Sequence, residues 1–414
     1  MIYYLVLLIF IFLLYGSTCL KNKNIINLMF FPFVSLGLTM VFPYTISLFI
    51  DGRYALRTGD CYIIFYLIIL FIGLFYIANT KKGFKVKQRN CLFNYKKCIL
   101  ILGTFVIIFF LLNMDSVTSA ISNPRMFYAN SRIGGGFLYY IVIPCVIFLY
   151  FCCITKLNYN HKLFANFIKS FIATLVVIGL IYIFGQKSSI VLITYLYLST
   201  LSLKIKSKKK NYYIILPGLI LVAVFAVIFS LYNIQQNINT VGLFQKFIDY
   251  ADYLDNFNDL VDNLDCFYFG RIFFENEVMS YIPRALMPNK PTLFGSLQLG
   301  LNVPRLVNWT LSLTGAPSFG PIGTAYADFG IVGIILYTLL QLFIFYIARG
   351  FEIKLKEYNF WYHLLYLTFT GVLIFYLTLC TIPFYQYFVV IFLYRFCRKR
   401  VNTKKVKSIR VRSY

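Results

Sequence analysis

An all-α, polytopic integral membrane protein of about eleven transmembrane helices with one large outer loop is the fold the sequence predicts. Three observations predict it. The 414 residues are 60% hydrophobic and only 13% charged, with 45 Phe and 35 Tyr, and the mean hydropathy is +0.75; a soluble shell cannot cover so much apolar surface. Apolar runs of roughly 17 to 25 residues, long enough to cross a hydrocarbon core, recur along most of the chain. They are continuous rather than alternating, so backbone groups in lipid are satisfied within helices and not in an outer-membrane barrel.

Candidate spans fall near 2–19, 26–50, 60–79, 97–112, 137–155, 163–184, 189–203, 212–232, 328–349, 359–379 and 381–397. The first starts at Met1 without a basic leader or a small-residue cleavage site and reads as a retained helix. Four regions follow: a membrane domain of about eight helices over 1–232, a large loop over 233–327, about three further helices over 328–397, and a basic tail over 398–414. A connection of that length without a span is expected to fold or to carry function in its own right.

Charge sets the orientation. Most of the 39 lysines and arginines lie on alternate connections: Lys21 and Lys23, the cluster from Lys81 to Lys97, Lys156 to Lys169, Lys204 to Lys210, Arg349 to Lys356, and the tail from Arg395. By the positive-inside rule these face the cytoplasm, which puts the N-terminus outside and the C-terminus inside. Of the 14 carboxylates only Glu352 and Glu357 fall on the cytoplasmic side. The net charge of +25 is therefore surface basicity suited to anionic lipid headgroups, and nucleic acid is not an expected partner. Ten cysteines, mostly in or beside spans, form neither a disulfide framework nor a paired metal spacing, and neither a metal nor a cofactor is expected.

The outer face holds the polar material: "DGRYALRTGD" at 51–60, "NPRMFYANSRIGGG" at 123–136, and the large loop. Within the loop, "QKFIDYADYLDNFNDLVDNLD" sets Asp252, Asp255, Asp259 and Asp262 at helical spacing opposite Leu254, Phe257, Leu260 and Leu264. This is an amphipathic helix whose acidic stripe reads first as a solvated face. Arg53, Arg57, Arg125, Arg132, Lys187, Arg271, Arg284, Lys290 and Arg305 also face outward, and most have no acidic neighbour in sequence. Cations kept against the positive-inside bias point to an anionic ligand, and planar guanidinium groups suit phosphate or pyrophosphate. Headgroup contact, or pairing with the loop aspartates, is the plainer alternative.

Several stretches resemble bacterial O-antigen polymerases of the Wzy type, also described as oligosaccharide repeat-unit polymerases. "IPRALMPNKP" at 282–291 is similar to the family's proline-flanked basic segment, "GTAYADFGIVG" at 323–333 to its approach to the next helix, and "GQKSSIVL" at 185–192 to a third element in which Lys187 stands where arginine is commoner. Arginine followed eleven positions later by glycine, described for two loops of the family, is matched by Arg125 with Gly136 and Arg284 with Gly295.

The resemblance implies a glycosyltransferase of the inner membrane, with its large loop in the periplasm. Such an enzyme transfers a polyprenyl-linked glycan onto a sugar hydroxyl of a second lipid-linked repeat unit. Undecaprenyl-pyrophosphate-linked oligosaccharide serves as donor and acceptor, and a chain-length regulator and a flippase are implied partners. Arg284 is then expected to stabilise the leaving pyrophosphate, with Arg125, Arg132, Lys187, Arg271, Lys290 and Tyr326 binding substrate. A carboxylate would serve as general base: Glu277, seven positions before Arg284 in "FFENEVMSYIPR", then Glu275, or Asp328 at the mouth of the ninth span. An O-antigen ligase of similar layout would typically carry a functional histidine in the large loop, whereas the two here, His161 and His363, fall at cytoplasmic helix ends, where contact with the surface or headgroups is expected. A flippase is expected to have more spans and only short loops.

Overall fold

The computed structural model describes residues 2–53, 55–85, 91–113, 136–159, 162–184, 187–205, 211–234, 252–279, 282, 286–311, 318–320, 322–355, 358–372 and 384–400. Apolar helices dominate: α1 (Ile2–Asn22), α2 (Phe30–Ile50), α3 (Thr58–Asn79), α4 (Tyr95–Leu112), α5 (Gly136–Lys156), α6 (Leu163–Ile183), α7 (Lys187–Lys204) and α8 (Tyr212–Ile234). The large loop carries α9 (Asp252–Asn263), α10 (Arg271–Glu277), α11 (Ser296–Gly300) and α12 (Val307–Leu311). After it come α13 (Gly323–Lys354), α14 (Phe360–Leu367) and α15 (Phe384–Cys397). Among the described residues, six helices are long and apolar enough to cross a membrane, and three shorter apolar ones cover 141–156, 189–204 and 212–224. The protein is an all-α polytopic membrane protein. Residues 373–383, inside the last two expected spans, lie outside the described residues.

The chain forms two compact units. The first comprises 1–84, 239–350 and 368–382. In it α1 buries Tyr4, Leu7, Ile11, Tyr15 and Thr18, one stripe at a spacing of three to four residues. Val6, Ile9, Phe12 and Leu13 on the other faces are exposed, as befits a helix whose remaining surround is lipid. Helix α2 is π-helical from Phe33 to Val41. Pro43 lies just beyond and has no N–H to return to the carbonyl four residues back, so the widened turn accommodates the missing bond. Gly73 lets α3 meet α13 closely: a Cβ there would lie 2.6 Å from Leu342. Tyr66 Oη seals the same seam by donating to Gln341 Oε1 at 2.8 Å.

The second unit comprises 85–238, 351–367 and 383–414. It gathers α4 to α8 with α14 and α15. A three-residue antiparallel pair, β1 (Cys91–Phe93) with β2 (Arg398–Arg400), sets Leu92 opposite Lys399 and ties the start of α4 to the end of α15. His363 is fully buried rather than at the surface or among headgroups. Its ring lies 3.2 Å from Ser199 Oγ and 3.3 Å from Tyr358 Oη and packs edge-on against Phe151. Two hydroxyl partners satisfy both ring nitrogens, which is what makes a buried histidine tolerable. His161 lies outside the described residues.

Candidate active site

The site belongs to the first unit and is built around the loop helices. Helix α9 turns Leu254, Phe257 and Leu260 inward, as its periodicity predicts, and buries Asn256 and Asn258 beside them. Its stripe of acids is not simply solvated. Asp255 takes Arg53 at 2.7 Å, Asp259 and Asp262 each take Arg57 at 2.6 Å, and Asp259 also takes Arg305. Three of the outward cations are therefore held by loop aspartates. The hydrogen bond to Asp255 raises the Arg53 pKa further above its ordinary value, against the opposing pull of partial burial.

Beneath this seam Asp60, 2% exposed, accepts hydrogen bonds at Oδ1 from Tyr4 Oη and Tyr44 Oη, both 2.9 Å, and from Asn258 Nδ2 at 2.8 Å. Its Oδ2 accepts the Arg57 backbone N–H at 3.0 Å, closing the first turn of α3. Gly59 makes the contact possible, since a Cβ there would come within 2.9 Å of the Asn258 Cα. Asp60, Gly59 and Asn258 escaped the sequence reading. A lone carboxylate opening an apolar span is the signal that could have found them.

The glycine-rich approach to α13 shapes the next layer. The helix breaks at Phe329 and at Gly330, whose φ is +60, and a Cβ on Gly330 would lie 2.8 Å from the Phe267 ring. Only glycine fits both demands. Before the break, the Tyr268 and Phe269 N–H groups bond to the carbonyls of Ala327 and Asp328, both at 3.0 Å. Asp328 Oδ1 accepts from Ile272 N at 3.0 Å and Oδ2 from Phe273 N at 2.9 Å. This carboxylate thus supplies from another element the acceptors that the first turn of α10 lacks. One turn on, Glu275 accepts from Arg271 Nε at 2.7 Å and from Gly295 N at 2.6 Å, and Asn276 Oδ1 accepts from Ser296 N at 3.2 Å. Together they cap α11. Gly295 has φ +58, a conformation that favours glycine. Leu260, Ile272, Leu299, Val303, Phe319 and Ala327 close into a small core beneath.

This scaffold brings Glu277 and Asp328 to one cavity of about 250 Å³, shared with Thr324, Phe273, Phe329, Gly333, Leu336, Tyr337 and Leu340. The Glu277 residue is 4% exposed. Two of the carboxylates singled out from the sequence therefore meet, and their surroundings divide them: Asp328 is committed at both oxygens to backbone N–H groups, while Glu277 sits at the apolar cavity wall.

Of the other sequence-predicted residues, Arg271 pairs with Glu275, and its side chain is still 56% exposed. Lys290 is 8% exposed. Its Nζ donates to the Ile282 carbonyl at 3.1 Å and lies 4.7 Å from the Phe294 ring centroid, folding the proline-flanked segment back on itself. Tyr326 sits among Tyr62, Phe257 and Phe267 at ring distances of 5.5, 5.6 and 5.9 Å. Arg125, Arg132 and Arg284, and the side chain of Lys187, lie outside the described residues.

Relatives in sequence bear on what this arrangement does. Over 360 residues, covering 84% of this chain and 83% of each relative, it is 26% identical to the O-antigen polymerase of Salmonella typhimurium strain LT2 and to that of Salmonella typhi. This chain is a homologue of O-antigen polymerases. The likeness to these polymerases covers most of the membrane helices together with the loop and is not confined to a motif. No protein-family model and no solved structure matches the chain.

Proposed function

We propose that the chain polymerises lipid-linked oligosaccharide repeat units into O-antigen or a related surface polysaccharide. The similarity to two O-antigen polymerases across 84% of the chain carries this reading. The shared cavity of Glu277 and Asp328 supports it chemically. The donor is a glycan on polyprenyl pyrophosphate and the acceptor a second lipid-linked unit. An acceptor hydroxyl gives its proton to Glu277 as its oxygen bonds to the donor's anomeric carbon. The bond from that carbon to the pyrophosphate oxygen breaks, and polyprenyl pyrophosphate leaves with the electron pair. Charge grows on the leaving group in the transition state, so cations that meet it, for which Arg284, Arg125, Arg132, Lys187 and Arg271 are the candidates, stabilise that state more than the ground state.

Asp328 and Lys290 act as positioning residues in this scheme, the first by capping the helix that bears Glu277, the second by folding the segment that bears Arg284. Tyr326 offers its ring to a sugar face. The cationic connections favour an orientation in the bacterial inner membrane with residues 240–320 in the periplasm and 204–210 in the cytoplasm. Cysteine labelling at Lys208 from outside the cell would contradict that orientation. A ligase is disfavoured because no histidine occurs in residues 233–327. Deleting the gene in its host is expected to leave a single repeat unit on the lipid core. Free lipid-linked polymer would indicate a ligase instead, and loss of all surface glycan a flippase.

A further inference from the structure

Two helices of the large loop are amphipathic in opposite senses. Helix α9 buries Leu254, Phe257 and Leu260 and exposes Asp252, Asp262 and Asn263, as a helix in water does. Helix α10 does the reverse. It buries Glu275, Asn276 and Glu277, whereas Phe274 is 52% exposed and Phe273 and Val278 are exposed on the same outward side. Its backbone leaves no early donor to solvent either. Arg271 N bonds to Tyr268 O and Phe274 N to Gly270 O, both at 3.0 Å, and Asp328 takes Ile272 N and Phe273 N. All four N–H groups that a helix start ordinarily offers to water therefore have acceptors within the protein, the condition that lipid imposes.

The depth of α10 can be read from α13. The apolar stretch 331–348, which ends at Arg349, is about 27 Å of helix, against roughly 30 Å for a hydrocarbon core. Helix α10 meets α13 just above this stretch: the Tyr268 and Phe269 N–H groups bond to the carbonyls of Ala327 and Asp328, and a Cβ on Gly270 would lie 3.3 Å from the Phe329 ring. Phe269, Phe329, Ile331 and Val332 flank that contact and are exposed as well.

We infer that α10 lies in the bilayer, at the hydrocarbon boundary of the leaflet nearest the loop, with phospholipid acyl chains covering Phe273, Phe274 and Val278. The large loop then has two solvents, water for α9 and lipid for α10. Arg271, more than half exposed at the start of the helix, can reach lipid phosphate while its Nε holds Glu275. The inference stands apart from the polymerase reading but bears on it: Glu277, on the inward side of α10, is held at membrane depth, so a substrate tethered to the bilayer meets it without leaving the bilayer surface.

The test uses the full-length protein in liposomes of phosphatidylethanolamine and phosphatidylglycerol that contain a phospholipid with a diazirine near the carbonyl end of one acyl chain. After photolysis, adducts are expected on Phe273, Phe274 and Val278 at yields like those on Ile331 and Val332, and on the order of tenfold above those on α9. Cysteine variants supply a second reading from the aqueous side, with modification mapped peptide by peptide to set aside the native cysteines. Asn263→Cys and Val278→Cys both replace exposed side chains. A charged maleimide should nevertheless modify the second at least about tenfold more slowly, because the reagent stays in water and a thiol in apolar surroundings keeps its proton. Adducts on α10 no stronger than on α9, or equal maleimide rates at 263 and 278, would overturn the inference. Protection from maleimide without lipid adducts would overturn it as well, since a second copy of the chain would then be what covers α10.

Discussion

Two acidic side chains, Glu277 and Asp328, line one cavity, and both oxygens of Asp328 are engaged by the backbone. Asp328 accepts two backbone N–H groups, so Asp328→Asn would face one of those donors with an amide N–H₂ and cost about 1–3 kcal/mol. The expected outcome is a lower unfolding temperature and a polymer yield that falls with the amount of folded protein. Glu277→Gln keeps the shape of the side chain and removes its capacity to take a proton. It is expected to slow polymerisation per folded molecule roughly 10²- to 10⁴-fold. Thermal unfolding of each variant in detergent, read beside polymer formed per folded molecule, separates the two roles. A Glu277→Gln enzyme of normal rate would remove the base from the scheme. Glu277 was legible in the sequence from its distance to Arg284; the division of labour was not, because the donors that occupy Asp328 come from residues more than fifty positions away.

At the scale of elements, the membrane helices were readable because each apolar run reports directly on the lipid around it. α3, α6 and α7 begin and end within about two residues of expectation. The break in α13 was not readable as a break, although Gly330 and Gly333 stand in the motif; what requires glycine there is the nearness of Phe267 to Gly330 and of the Ala325 backbone to Gly333, which only the fold supplies. The acidic stripe of α9 reads first as a solvated face, and the plainer alternative for the outward cations, pairing with the loop aspartates, is what Arg53 and Arg57 do from 202 residues away. These pairs fix the loop helix over the end of α3. Each is part-exposed and worth only about 0–1 kcal/mol singly, but they share residues in a network around Asp259. Asp255→Ala with Asp259→Ala is therefore expected to loosen α9 and to leave the membrane helices folded. Limited proteolysis should then cut within residues 240–265 at a rate several-fold above wild type, about what 1 kcal/mol or more allows, while unchanged cleavage would show the pairs to be dispensable.

The whole molecule joins apolar helices long enough to cross a membrane to a loop whose helix α10 carries Glu277 to a cavity shared with Asp328. Likeness to O-antigen polymerases extends over most of the chain, as expected if bundle and loop act together. The most direct test is reconstitution: the purified full-length protein in liposomes, supplied with a synthetic polyprenyl-pyrophosphate-linked repeat unit and no other protein, with products resolved by length. The account predicts a ladder of polymers with release of polyprenyl pyrophosphate. It also predicts no ladder, within the same time, from Glu277→Gln. Unchanged repeat unit with the folded wild-type protein, or the same ladder from both proteins, would contradict it.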